Sequence, residues 1–204
     1  VDVRRFPWVR PLAGDYAFNF DNVAALYAGD PTSPDAWRDA IERTQRHARQ
    51  RDRIASVVAA QQARRGAPQP SRDAGARLAH QQTVAVLTGQ QAGAFGGPLF
   101  TLLKAITAIQ LARMASRTHG VPVVPVFWVD AEDHDWEEVA SCTVLDAALQ
   151  PRTVTIPPPE GAGDLPVAAL KLDARVEQSL DELQQALAQT DFTGWVLDDL
   201  RAAY

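Results

Sequence analysis

Thr83-Val84-Ala85-Val86-Leu87-Thr88 and Val121-Pro122-Val123-Val124-Pro125-Val126-Phe127-Trp128-Val129 are the two stretches whose reading decides the fold. Each is a short apolar run rich in β-branched residues, which reads as a buried strand. Between them, Leu99, Leu102, Leu103, Ile106 and Ile109 recur at helical spacing. Pro98 stands at that helix's first turn, where its missing N–H leaves nothing unpaired. Strand, helix, strand predicts a βαβ unit in an α/β fold. Two parallel strands joined by a helix require a right-handed crossover and a sheet covered on both faces.

Working outward, Trp37, Ile41, Ala48, Ile54, Ala55 and Val58 mark one long helix beginning near Asp35, stopped by the linker Gly66-Ala67-Pro68-Gln69-Pro70-Ser71. The first thirty-odd residues, with Phe6-Pro7-Trp8 and Gly29-Asp30-Pro31, read as an irregular arm that packs its aromatics onto something else. A short helix is expected around 74–79. Beyond the second strand, Cys142–Leu145 and Arg152–Ile156 read as short strands. Val176, Leu180, Leu183 and Leu187 mark one helix face, and Phe192, Trp195, Val196 and Leu200 another. The expected domains are 1–72, the arm and long helix, and 73–204, the first part of a core that these residues leave truncated.

The 204 residues are 46% hydrophobic and 22% charged, which excludes a disordered or fibrous chain. A net charge of −5 argues against a nucleic-acid-coating protein. Ten of the eighteen arginines fall between 38 and 77 against four acids, a pattern expected of a solvated helix face, with an anionic-partner surface as the alternative. The run from Val121 to Val129 is interrupted by proline and far shorter than the roughly 20 residues that cross a bilayer, so no membrane segment is expected. The N-terminus lacks an apolar signal core, and the single Cys142 allows no internal disulfide, so a cytoplasmic location is expected.

Two clusters could carry chemistry. The first is Thr88-Gly89-Gln90-Gln91-Ala92-Gly93-Ala94-Phe95-Gly96-Gly97-Pro98, read as a glycine-rich loop between a strand end and a helix start. Ligands collect there in open α/β sheets, because helix amides and the dipole point at the ligand and glycines let it approach the backbone. The glycines fit neither the dinucleotide fingerprint nor the Walker A pattern. Gln90 and Gln91 supply donors and acceptors, and Thr101 and Lys104 share the helix face that leans back toward the loop. Lys104 is one of only two lysines, the other being Lys171.

The second cluster is Asp130-Ala131-Glu132-Asp133-His134-Asp135-Trp136-Glu137-Glu138, directly after the second strand. His134 stands among carboxylates, the setting of an acid or base near neutrality. Asp135 and Glu138 also suit a helix N-terminus. Seven acids lie between 130 and 146 with no lysine or arginine from 118 to 151, which suits a cationic substrate group. A metal site from His134 and Glu138 would lack further histidines. Cys142 reads as a core cysteine rather than a nucleophile, and Trp128 and Trp136 as core packing around the second cluster.

Thr88–Gly93, Gly97-Pro98-Leu99-Phe100-Thr101-Leu102-Leu103-Lys104-Ala105 and Pro125–Asp135, in this order and spacing, resemble the cysteine-adding family of bacillithiol biosynthesis. The resemblance covers most of the chain. It implies a Rossmann-like parallel sheet, partial here, with an N-terminal helical arm, and a longer protein whose C-terminal coiled coil makes a homodimer. It also implies a ligase that adds cysteine to glucosaminyl-malate, with the carboxyl activated first. An adenylate or acyl phosphate made from ATP is the chemical expectation, and a metal requirement stays open. On this reading Gly89, Gln90, Gln91, Gly93, Gly97, Thr101 and Glu132 bind substrate or nucleotide, with Lys104 holding an anionic group. His134 with Asp133 or Asp135 handles the proton of the attacking amine. Gly96, Phe100 and Leu103 stand where the family usually has threonine, tyrosine and histidine. Two other classes stay open: a metal-dependent phosphohydrolase built on His134 and Asp135, and a non-catalytic binding or assembly module.

Overall fold

The computed structural model describes residues 2–204. The chain forms two compact units, Val1–Val86 with Leu111–Pro125 and Leu87–Gln110 with Val126–Tyr204. The boundaries between them fall inside continuous strands and a helix, and not at the 66–71 linker.

In the first unit, α1 (Pro11–Phe18) opens on a proline at its first turn, and short 3-10 turns flank it. The arm is therefore more regular than expected. Its aromatics also pack on one another: Phe6 stacks on Trp8 at 4.9 Å, and Tyr16, Phe20 and Tyr27 lie 4.7–6.0 Å apart. Then α2 (Pro34–Arg46) starts where Ser33 Oγ accepts the Ala36 N–H and Pro34 fills the first turn.

The expected single long helix is two. α2 ends at Arg46, and α3 runs Arg51–Arg64. Arg49 Nη1 donates to the carbonyls of Thr44, at 2.6 Å, and His47, at 3.0 Å, acceptors that a continuing helix would have used itself. The apolar pattern slips at the same place, since the six residues from Ala48 to Ile54 match no multiple of the helical repeat. α4 (Gln69–Arg77) begins inside the expected linker, with Pro70 in its first turn. Arg51 Nη1 ties the start of α3 to the carbonyls of Leu78, His80 and Thr83 at 3.4, 3.1 and 2.9 Å.

The βαβ unit forms as expected: β1 (Val84–Gln91), α5 (Leu99–His119) and β2 (Val123–Asp130). The Val84 N–H donates to Pro122 O and the Ala92 N–H to Asp130 O, the same offset at both ends, so the paired strands run parallel. Gly120, at φ +66°, ends α5, and Ser116 Oγ donates to Val121 O to close the crossover. At the first-unit end, Trp37, Ile41, Val84, Ala112, Ala115 and Val123 form the core. By length and composition alone α5 could cross a bilayer, so the shortness of the run at 121–129 does not by itself exclude a membrane span. The ends of α5 feed two adjacent parallel strands, which is how a crossover helix is connected.

In the second unit, α6 is a single turn (Trp136–Val139). β3 (Ser141–Leu145) and β4 (Pro151–Thr155) then make an antiparallel hairpin with Cys142 opposite Val154, and Asp146 Oδ1 fixes its turn through the N–H groups of Ala148 and Gln150. α7 (Arg175–Ala186) and α8 (Thr193–Ala203) close over β4 through Val154, Leu183 and Leu197. Trp136, Ile156, Val176 and Ala94 form a second core cluster. The broad apolar face of α5 exists but is open to solvent, Leu99 being 72% exposed, while Ala108, Ala112 and Ala115 are buried.

Arg51→Ala is expected to destabilise the chain by about 1.5–3 kcal/mol, the range for hydrogen bonds to a charged group. A urea midpoint unchanged by the substitution would show that the three carbonyl contacts add nothing.

Candidate functional site at the parallel strand ends

Gly89, Gln90 and Gln91 belong to β1 and not to a loop, contrary to the sequence reading. The reason lies in the partner strand. A Cβ on Gly89 would stand 1.9 Å from Cδ1 of Trp128 and 2.7 Å from its carbonyl oxygen, so only glycine lets the Trp128 ring lie against the backbone of β1. Trp128 is accordingly 58% exposed, lying over the backbone of β1 and not filling the core. Trp136 does pack in the core cluster as expected.

Strand geometry then sends the adjacent amides to opposite faces. Gln90 Oε1 accepts from Lys104 Nζ at 2.8 Å, and Gly89 O accepts from the same ammonium at 3.3 Å. Lys104 Nζ also lies 5.1 Å from the centre of the Phe100 ring. All these partners are neutral, so the lysine's charge is left unbalanced locally. On the other face, Gln91 Nε2 donates to Asp133 Oδ2 at 2.7 Å and to Glu138 Oε2 at 3.0 Å. One amide thus bridges two carboxylates.

The glycine turn beyond β1 closes on itself. A Cβ on Gly93 would lie 2.7 Å from Gly97 Cα, and Gly97 has φ +75°. Both glycines therefore have structural work independent of any ligand. Phe95 also sits in the left-handed region, at φ 53°. Its N–H donates to Tyr204 Oη at 2.8 Å, and the two rings lie 5.7 Å apart, a brace that sequence reasoning missed because the partners are 109 residues apart. Thr101 donates its N–H to Pro98 O, but its Oγ1 is buried without a partner and would lie 3.2 Å from a Cβ on Gly97.

In the acidic turn, Asp133 accepts from Gln91 Nε2 on Oδ2 and from the Asp135 N–H on Oδ1. The Gln91 amide first, then that backbone N–H, hold its carboxyl below the usual carboxylate range, with His134 adding to the effect. Asp135 Oδ1 accepts the Glu138 N–H at 3.1 Å and so caps α6. Glu138, read from the sequence as a helix-start acid or a metal partner of His134, is a full partner of Gln91. Glu132 is exposed, and its backbone N–H lies 3.4 Å from Asp130 Oδ1.

His134 departs from the expected arrangement. It lines a cavity of about 640 Å³ together with Asp135, Trp136, Ser141, Ile156 and Pro158, and neither glutamine nor Lys104 lines that cavity. The structure thus joins Gln90 with Lys104, and Gln91 with Asp133 and Glu138, but it does not put the imidazole in one chamber with the lysine. Cys142 is half-buried, and burial pushes its thiol up, the opposite of an activated nucleophile. Among the described residues, no three His, Cys, Asp or Glu side chains converge as a metal site, which leaves the phosphohydrolase reading without a ligand set in this chain.

Two substitutions test this geometry. Gly89→Ala is expected to destabilise the chain by about 1–3 kcal/mol through overpacking against Trp128, with a change in tryptophan fluorescence; an unchanged urea midpoint would refute the close approach. Because Asp133 titrates lower in the folded chain than unfolded, it adds stability above the ordinary carboxylate range and loses that contribution as pH falls through its lowered folded value. Gln91→Ala should raise the Asp133 midpoint in a carbon-detected NMR titration, and a midpoint that stays put would place the cause elsewhere.

The family described as "Bacillithiol biosynthesis BshC, N-terminal Rossmann-like domain" matches residues 3–204. A protein of Salinibacter ruber named "Putative cysteine ligase BshC" is 38% identical over 192 residues, covering 93% of this chain and 35% of that protein. Proteins of the same name from Symbiobacterium thermophilum and Geobacillus thermodenitrificans are 38% and 30% identical, covering 74% and 99% of this chain and 28% and 38% of their own lengths. The chain spans about a third of the length of these relatives. With the parallel βαβ unit and the three motifs at its strand ends, the match establishes that this chain belongs to the bacillithiol-biosynthesis BshC family, as its N-terminal Rossmann-like domain.

Proposed function

We propose that this domain serves a ligase that joins the carboxyl group of cysteine to the amine of glucosaminyl-malate, forming bacillithiol. The observation that carries the reading is Lys104. Among the described residues its ammonium is met by two neutral oxygens and the Phe100 ring, at the first turns of α5 and beside the end of β1, where an α/β sheet collects anionic ligands. Thr101 Oγ1, buried without a partner among the described residues, lies in the same first turns.

A free carboxylate does not acylate an amine; its oxygen would attack a phosphorus of ATP, with pyrophosphate leaving to give an adenylate or ADP leaving to give an acyl phosphate. Lys104 holds the anionic group of that donor, and the Thr101 backbone lies beside it in the first turns of α5. In the second step the amine nitrogen bonds to the carboxyl carbon, the carbon–oxygen bond to the phosphorus-bearing group breaks, and the nitrogen loses a proton. His134 takes that proton on the β3–β4 side of the strand ends, where its cavity has room for a sugar-sized substrate. Asp133, kept ionised by Gln91, orients or steadies the imidazolium, and Asp135 shapes the turn through its cap. Because the imidazole and the lysine line different chambers, this division of work requires bound substrates that span both. Lys104 binds, and His134 moves the proton.

The open apolar surface on α5 and the strands, with Leu87, Leu99, Leu102, Leu103 and Trp128 all exposed, supports assigning turnover to the longer proteins of the family and not to this domain alone. The cytoplasmic location and a homodimer of the longer form belong to the same proposal.

With this domain placed in a polypeptide of the relatives' full length, Lys104→Ala should raise KM for the nucleotide with a smaller effect on kcat. His134→Ala should lower kcat by about 10²–10⁴, the usual contribution of a general base. Unchanged bacillithiol formation in both variants removes these residues from the mechanism, and turnover by the 204-residue chain alone would overturn the division between domain and whole.

A further inference from the structure

The net charge of −5 conceals two opposite halves. The first unit holds fifteen arginines, no lysine and nine acids, a net of +6; the second holds five basic residues against sixteen acids, a net of −11. Within the first unit the positive charge is concentrated at the start of α3. There Arg49, Arg51 and Arg53, with Gln50, Asp52 and Gln81, line a cleft of about 430 Å³, within the size range of small-ligand sites.

What separates these three arginines from an ordinary solvated face is how they are held. Arg49 Nη1 is fixed by the carbonyls of Thr44 and His47, Arg51 Nη1 by those of Leu78, His80 and Thr83, and Arg53 Nη1 by Gln50 Oε1 at 3.3 Å. Every one of these acceptors is neutral. None of the three guanidinium groups lies within ion-pair distance of a carboxylate among the described residues. One nitrogen of each fork is tethered, and Nε and Nη2 have no acceptor among the described residues. The side chains are thus ordered in advance while their charges stay available, which lowers the entropic cost of capturing an anion.

We infer that this cleft is a binding site for a small phosphorylated dianion, either inorganic phosphate or a phosphate monoester. Three guanidinium charges against the one carboxylate of Asp52 leave two positive charges to be matched, and arginine forks suit the several oxygens of a tetrahedral phosphate. The site lies wholly within the first unit. It shares no residue with the Lys104 and His134 groups, so its failure and theirs are separate results.

The test uses the 204-residue chain, followed through its arginine Nε–H signals in ¹⁵N NMR, with inorganic phosphate and glucose 6-phosphate as probes at an ionic strength fixed with chloride. Saturable shifts of the Arg49, Arg51 and Arg53 signals are expected with both probes; tighter binding of glucose 6-phosphate identifies a monoester site, and equal binding a free-phosphate site. Arg53 makes a single tether, so Arg53→Gln leaves the fold intact and should weaken binding about tenfold, while Arg49→Lys, which keeps the charge and loses the fork, should also weaken it. Arg64→Gln, outside the cleft, should change nothing. Shifts no larger than chloride produces, undiminished binding by Arg53→Gln, or a response confined to a single-stranded oligonucleotide would overturn the inference.

Discussion

The two-residue period of β1 governs the chemistry available to this domain. Because successive side chains of a strand face opposite ways, Gln90 and Gln91 cannot serve one ligand as a pair. Gln90 turns to Lys104, and Gln91 turns to the acidic turn after β2. That division holds only if the strand extends past Gly89, and it does so because the missing side chain admits Trp128 against the backbone. A loop at the same positions would have left both amides free to turn toward one cavity.

The βαβ unit was legible because its signals are local: two β-branched runs, a proline at a helix start and a glycine at its end. The hairpin and the last two helices were legible for the same reason. What escaped the sequence depends on residues far apart in it. The end of β1 is decided by Trp128, 39 residues away, and the bend at Phe95 by Tyr204. The break between α2 and α3 did leave a trace, the slipped apolar spacing after Ala48, but its cause is a side chain, Arg49, taking backbone carbonyls.

The candidate site divides along the same line. Residue types at the strand ends were readable, and the structure brings Gln90 to Lys104 and Gln91 to Asp133 as neighbours. The side toward which His134 faces was not, because an order of residues in a turn carries no handedness. The acids also prove less alike than their letters. Asp135 is occupied as a helix cap, Asp133 is held ionised by an amide and a backbone N–H, and Glu138 shares that amide. Only Asp133 and Glu138 therefore have their carboxylates tied to β1, and they are the acids whose position the parallel pair controls.

α5 shows why that control reaches Lys104. Its buried residues, Ala108, Ala112 and Ala115, repeat at helical spacing in the later part of the helix and allow close packing there. The earlier part exposes Leu99, Leu102, Leu103 and Ile106, so apolar burial does little to position it. Among the side-chain hydrogen bonds of the described residues, those of Lys104 to Gly89 O and Gln90 Oε1 are the ones that tie this part of the helix to β1. The lysine is therefore the strut that sets the helix start beside the strand end, its ammonium met there by two neutral oxygens.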